Sequence, residues 1–474
     1  MKRFWLVLLS LGLIVAFSTS AMAVDVKFSG EYYAAGMYLD KTSFYKSSTG
    51  GNPSTAFYYQ RLRVRTDFVV SPGLTLITRA DIMERAWGAA RSSATSTALD
   101  TLSAGTKAEN ENIAFDWAYV SYTSPIGIFA AGYQQDRAWG TVFGDNSYPN
   151  AKITYTAKIG DVILGAQMGK DSENSVPYGA RNGLATIADQ DRNFYNLLAV
   201  YKAKTFEAGV LFKYIDDRTG RNANLATAPN AAGWALASLP YAKAQLGPVA
   251  LQAEVIYVYG KQKVEDESKA LWVPRLNGND TIDVNNLSAW VDVTADFNKF
   301  YVGGSLAYVS GDDPGTPDKI EGGLANGGLD YQPCLIMFNA DRNYWVGGLN
   351  GYANSRPLAL GGPQTATNGG EVNNAYFAQL RAGVRPTDKF DIMASFSYAK
   401  ADKTLASYNA GATWEGRDYG YEIDVTGTYK ITNNLSYMLG AGYFMTGNYY
   451  KAETATSHDL NDDYMLINKL TLTF

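Results

Sequence analysis

Cysteine and histidine are nearly missing from this sequence of 474 residues, which holds one of each, Cys334 and His458. A single cysteine allows no internal disulfide, no iron–sulfur cluster and no Cys-x-x-Cys-His haem attachment. A single histidine excludes a histidine-rich zinc site, so neither a cofactor nor a metal is expected. Charge is scarce as well, at 18% of residues against about 25% in ordinary soluble domains. The formal charge of −5 lacks the basic excess that nucleic-acid binding needs. Beyond residue 23 there is no run of about 18 apolar residues, so no membrane-crossing helix is expected there. What the chain has instead is 46 glycines and 34 tyrosines.

Residues 1–23, MKRFWLVLLSLGLIVAFSTSAMA, begin basic, run apolar from Phe4 to Phe17 and end in small residues at Ala21-Met22-Ala23. That is the pattern of a secretory signal peptide cut after Ala23. The apolar stretch falls short of the ~20 residues of a spanning helix, and no cysteine follows the cut to carry a lipid. Loss of Lys2 and Arg3 with the leader leaves 39 basic against 46 acidic residues, a net charge of −7.

From Val24 onward the dominant period is two. In Tyr419–Lys430, Tyr419, Tyr421, Ile423, Val425 and Tyr429 fall on one side, and Glu422, Asp424, Thr426, Thr428 and Lys430 on the other. Tyr376–Arg385, Phe390–Tyr398 and Leu287–Phe297 repeat the pattern. Successive side chains of a strand point to opposite faces, so each segment has one apolar and one polar face. Connection lengths separate a sandwich from a membrane barrel. Eighteen such segments are joined alternately by eight tight turns, such as Ser71-Pro72-Gly73, and nine long loops, of which 311–371 is the longest. This is the arrangement of an all-β, antiparallel up-and-down transmembrane barrel over residues 24–474, with short periplasmic turns and long extracellular loops. Sixteen strands is the alternative, since 192–203 and 234–246 show the weakest alternation. At the chain end Tyr464, Leu466, Leu470, Leu472 and Phe474 alternate with Met465, Ile467, Lys469, Thr471 and Thr473. Tyr464, Leu470, Leu472 and Phe474 resemble the carboxy-terminal signal read by the outer-membrane assembly machinery.

Residues 109–146, ENENIAFDWAYVSYTSPIGIFAAGYQQDRAWGTVFGDN, resemble the fourth strand, turn, fifth strand and third loop of the general bacterial porins. The corresponding motifs are Ala118-Tyr119-Val120, Gly127, Gly132-Tyr133-Gln134 and Phe143-Gly144-Asp145. Tyr133 stands where that family usually has Arg, and the loop is only about thirteen residues, so a shorter reach across the pore is expected. The resemblance implies an outer-membrane channel whose third loop folds into the lumen. The whole chain is also similar to porin-like proteins of anaerobic metal- and sulfate-respiring bacteria, a resemblance that leaves the solute open.

On the second strand Arg61, Arg63, Arg65 and Asp67 share a face. Charge on the lipid side costs about 2–4 kcal/mol near the midplane, so this row is expected to line the lumen. Arg79, Asp81 and Arg85 have matching parity on the third strand, and Arg381 and Arg385, with Lys202 and Lys243, add basic groups elsewhere. Two readings stand side by side. In one, these guanidinium groups face Asp136 and Asp145 of an inward loop, beside Phe143, and set a transverse field. In the other, they are wall residues paired with Asp67 and Asp81. Tyr419, Tyr421, Tyr429, Tyr437 and Tyr443 read as an outward girdle, and Tyr33, Phe377 and Trp290 as scattered lumenal aromatics. His458 beside Ser457 does not form a nucleophile–base pair, because adjacent residues on an extended chain point apart. The pairs Asp216-Asp217, Asp312-Asp313 and Asp462-Asp463 read as solvated loop tips, or as calcium or lipopolysaccharide contacts. In the long loop, Pro333–Phe338 and Tyr344–Val346 are apolar, as contact patches are, and Cys334 is expected to be a buried small residue.

The expected function is a passive porin for small hydrophilic solutes and ions in the outer membrane of a Gram-negative cell, not an enzyme. A substrate-specific channel, and the sheath or scaffold of a porin–cytochrome electron conduit, are the alternatives. Expected partners are outer-membrane lipids, lipopolysaccharide and the barrel-assembly machinery. Further copies in a homotrimer, or multihaem cytochromes as separate chains, are left open, and nucleic acid is not among them.

Overall fold

The computed structural model describes residues 24–42, 44, 46, 53–88, 113–174, 189–221, 229–313, 315–323, 328–346, 370–403, 416–451 and 459–474. The leader, Ser457 and His458 lie outside the described residues. The alternating segments become β1 (Asp25–Leu39), β2 (Thr55–Ser71), β3 (Leu74–Ala86), β4 (Ile113–Ser124), β5 (Gly127–Asp136), β6 (Tyr148–Ile159), β7 (Val162–Ser172), β8 (Arg192–Lys202) and β9 (Phe206–Asp217). They continue as β10 (Ala231–Leu246), β11 (Val249–Val264), β12 (Thr281–Asp296), β13 (Phe300–Val309), β14 (Ala375–Thr387), β15 (Phe390–Ala401), β16 (Asp418–Lys430), β17 (Leu435–Thr446) and β18 (Asp463–Thr473). Each pairs antiparallel with the next, and β1 pairs with β18 from Glu31 opposite Thr473 to Leu39 opposite Met465. The result is a closed eighteen-stranded barrel, which leaves no strand edge with unpaired amides. Both weakly alternating segments are strands. Within β10 the inward side chains Ala235, Ala237, Leu239 and Tyr241 are apolar or aromatic and buried, which blurs the alternation; Pro240 lacks an N–H, and the ladder to β11 skips Leu239 and Pro240.

The two faces differ as alternation requires. Phe28, Phe115, Leu380 and Leu439 are among the large apolar side chains exposed on the outside, a continuous surface that suits lipid. Ionised and hydrogen-bonding side chains turn inward. Bulges reset the parity at several places, and two of them move residues from their expected side. Gln60 pairs with Arg85 but Leu62 with Ile82, so β3 carries one extra residue, and Met83 there has φ 53°. A bulge flips every side chain beyond it. Arg85 therefore stands opposite Gln60, on the outward parity, and Glu84 takes the inward place beside Arg61 at 3.5 Å. The expected position of Arg85 in the row of Arg79 and Asp81 is thus corrected.

The second bulge lies between β15 and β16, where Ala399 pairs with Gly420 and Lys400 with Asp418. Gly420 has φ 126°, and a Cβ on it would stand 2.1 Å from the Met445 carbonyl oxygen, so only glycine serves there. The extra residue, Tyr419, leaves the girdle and turns inward, 2% exposed, donating its hydroxyl to Asn373 O at 3.2 Å. Tyr421, Tyr429, Tyr437 and Tyr443 do lie exposed on the outside.

One acid of each loop pair is buried, Asp217, Asp312 and Asp463, whereas Asp216 and Asp313 are part-exposed and Asp462 is exposed. Asp217 accepts from Thr219 N–H at 3.0 Å, Asp312 from Glu321 N–H at 2.9 Å and Asp463 from Lys41 N–H at 3.0 Å. The first is the local capture of an amide that short polar side chains make at turns; the other two join separate segments.

Candidate functional site: a two-loop constriction

Two loops enter the barrel. The loop after β5, residues 137–147, starts at Arg137, which has φ 58°, and crosses to the wall of β10–β12. Trp139 Nε1 donates to Leu239 O at 2.7 Å, Thr141 N–H to Glu254 at 3.0 Å, and the Phe143 ring stacks on Trp290 with centroids 5.9 Å apart. The shorter reach expected from its length is therefore corrected: three side chains anchor it on strands five to seven positions around the barrel. Asp145 closes the loop by accepting Trp139 N–H at 2.6 Å. Burial, reinforced by nearby Asp330, pushes the Asp145 carboxyl up to about 7, against the pull of that amide and of Lys243.

The second is the long loop between β13 and β14. Its apolar stretch Pro333–Phe338 lies inside the barrel: Ile336, Met337 and Phe338 are all at most 2% exposed. A buried backbone must find partners. Glu422 on β16 accepts both Ile336 N–H at 2.6 Å and Met337 N–H at 2.7 Å, and Gln379 donates to Pro333 O at 2.6 Å. The short helix α1 (Ala340–Val346) follows. Asn339 caps it by accepting Arg342 N–H at 2.8 Å, the role that Asn commonly fills. Trp345 packs on Tyr59 with centroids 4.5 Å apart, and Phe338 rests against Phe377 and Tyr419. Burial lowers the Arg342 guanidinium to about 10, partly offset by Asp463 and Glu422.

The loops clasp each other. Gly328 N–H donates to Gly144 O at 3.2 Å and Asp330 N–H to Asp145 O at 3.0 Å. Ser147 donates its N–H and its hydroxyl to the Asp330 carboxylate at 2.8 and 2.6 Å. Tyr331 meets both Phe143 and Trp290 edge-on. The lumenal aromatics Tyr33, Phe377 and Trp290 are thus all inward, and loop side chains cover Trp290 and Phe377.

The arginine row runs down β2 from Tyr59 towards the short turn after Ser71. Arg63 grips Asp81 through two bonds of 2.6 Å, and Arg65 grips Asp67 at 2.8 and 3.0 Å. Arg61 lies over the Tyr33 ring between Glu31 and Glu84. Arg79 pairs with Asp116, which a bulge in β4 turns inward, and stacks over Trp117 at 3.6 Å. Side-chain exposure rises from 21% at Arg61 to 40% at Arg65. Asp136 pairs with Lys152 at 2.8 Å. Among the described residues neither Asp136 nor Asp145 forms an ion pair with this row. Arg381 is bidentate to Asp292 at 2.7 Å, and Arg385 bridges Asp296 and Asp391, both at 2.9 Å.

Sequence reading missed Glu84 and Asp116, because bulges hide them from strict alternation, and it missed Asp330 and Ser147, which carry no local signal. The apolar run Pro333–Phe338 was the visible sign of the inward long loop.

No protein-family model matches the chain, and no curated protein matches it. Among solved structures it is similar to OccK9 (OpdG) of Pseudomonas aeruginosa, with 13% identity, a TM-score of 0.49 and coverage of 95% of this chain and 99% of that one. It is also similar to the outer membrane protein OpdK of Pseudomonas aeruginosa, at 12% identity, TM-score 0.47 and coverage of 94% and 99%. A third is OmpT, an outer membrane protein of Vibrio cholerae, at 10% identity, TM-score 0.38 and coverage of 96% and 99%. Each is a likeness of backbone path and no more.

Proposed function

We propose that the chain is an outer-membrane porin, a passive, water-filled channel for small hydrophilic solutes and ions, exported behind the leader 1–23 and not an enzyme. The observation that carries this reading is the meeting of two inward loops inside a closed barrel whose outer face is apolar. Lipid suits the outside, water suits the ionised inside, and the loops restrict width. Solutes that pass them meet the arginine wall, whose charges are held in place by carboxylates on the same and neighbouring strands. Kinship with general porins is supported by residues 109–146, and that with porin-like proteins of anaerobic bacteria by overall resemblance.

One observation favours a substrate-selective channel over a wide general pore: the loops are clasped and packed on aromatic residues rather than free. The two loops packed inside the barrel occupy space that a second protein in the lumen would need, which counts against a cytochrome sheath. Lipids and lipopolysaccharide as neighbours, assembly through Tyr464, Leu470, Leu472 and Phe474, and association into a homotrimer belong to this reading. Conductance of the purified protein in a planar bilayer tests it. Discrete ohmic steps that one solute class blocks at low concentration support selectivity, steps blocked by none support a general pore, and no conductance refutes a channel.

A further inference from the structure

Behind the apolar stretch of the long loop, the chain's thiol meets two carboxylates on the barrel wall. Cys334 Sγ and one oxygen each of Glu422 and Asp424 lie within 4.8 Å of one another. The three residues are 3%, 0% and 3% exposed. Glu422 and Asp424 are two apart on β16, so they project side by side from one face. Neither is in a salt bridge with a described residue. Two carboxylates side by side in a buried place need a cation or a proton between them.

Two further features point into this cluster. Asp424 Oδ1 is buried without a hydrogen-bond partner, which is costly unless something binds there. Gly442 on β17 faces it, and a Cβ at that position would stand 2.6 Å from Asp424 Oδ1 and 3.5 Å from Glu422 Oε1. The missing side chain keeps room beside both carboxylates.

We propose that Cys334, Glu422 and Asp424 bind a thiophilic divalent cation of the zinc class, which fastens the long loop to the barrel wall. A sulfur donor with two carboxylates suits zinc better than calcium or magnesium, which take oxygen alone. Bonds of about 2.0–2.3 Å require the donors to draw in by roughly 1 Å, within the reach of side-chain rotation. Charge also favours a cation here. The cation offsets two of the three negative charges of a thiolate and two carboxylates, and the Arg342 guanidinium acts on Asp463 and Glu422 nearby. Binding replaces the thiol proton and the proton that the two carboxylates share without a cation, and both leave to solvent.

The full chain, purified in detergent and stripped with EDTA, is titrated with ZnCl2 by calorimetry in buffers of different ionisation enthalpy. The expected result is one Zn2+ per chain with proton release, and affinity lower by at least about tenfold in Cys334→Ser and in Asp424→Asn. Co2+ on the unaltered chain should give the near-ultraviolet absorption of a thiolate–cobalt bond. Absence of Zn2+ uptake, uptake unchanged in both variants, or bound Co2+ without that absorption would each overturn the site. The cobalt spectrum needs no variant, so a misfolded mutant does not decide the question. All these readouts are independent of conductance, so failure of the metal site and failure of the channel reading are told apart.

Discussion

Asp330 accepts two hydrogen bonds from Ser147, one from its N–H at 2.8 Å and one from its hydroxyl at 2.6 Å, and so joins two loops that leave the barrel far apart in sequence. Hydrogen bonds to a charged acceptor contribute about 1.5–3 kcal/mol each. Asp330→Ala should therefore release the clasp without unfolding the barrel. Single-channel recordings are expected to show higher conductance and more frequent transitions between levels, while the unboiled protein keeps its mobility in SDS gels. Recordings identical to wild type would mean that aromatic packing alone holds the loops.

The clasp should respond to pH through Asp145. Its carboxyl sits at about 7 in the docked loop, against an ordinary value of 3.8, mainly because of burial. The docked form therefore binds the proton more tightly than the undocked form. Docking is at full strength below about pH 3.8 and weakens as pH rises towards 7. Open-state conductance or its fluctuation should increase between pH 5 and pH 8, and Asp145→Asn should flatten that dependence. A wild-type record flat over this range counts against Asp145 as the titrating group.

The arginine row should control ion preference. Arg61, Arg63 and Arg65 are each paired, so changing all three to Gln removes the cations that face Glu84, Asp81 and Asp67. Reversal potentials under a KCl gradient should then shift towards cation selectivity. The shift should shrink in molar salt, where the screening length falls to about 3 Å. Unchanged potentials at low salt would move the selective point to the loops near Phe143 and Asp145.

Phe474 exchanges backbone hydrogen bonds with Gly30 at 2.8 and 3.1 Å, next to the seam where β1 meets β18. Phe474→Asp should lower the amount inserted in the outer membrane while leaving export across the inner membrane intact. Fractionation and heat-modifiability of the band measure both. Normal insertion would remove this residue from the assembly signal.

The strands and their faces could be read directly from the chain, because side-chain direction in a strand alternates with every residue and needs no distant partner. The barrel, its strand number and the inward row Arg61–Arg65 follow from that local rule together with the sorting of loop lengths. Arg85 and Tyr419 escaped it, because a bulge changes parity through backbone geometry at Met83 and Gly420 that alternation does not express. The loops lay further out of reach. Phe143 on Trp290, Trp345 on Tyr59, Ser147 on Asp330, and Cys334 beside Glu422 and Asp424 are contacts between segments tens to hundreds of residues apart. Only closure of the barrel brings their strands around one lumen. What fills that lumen was decided by which apolar loop residues could be buried there with their amides satisfied, and Glu422 met that condition for Ile336 and Met337.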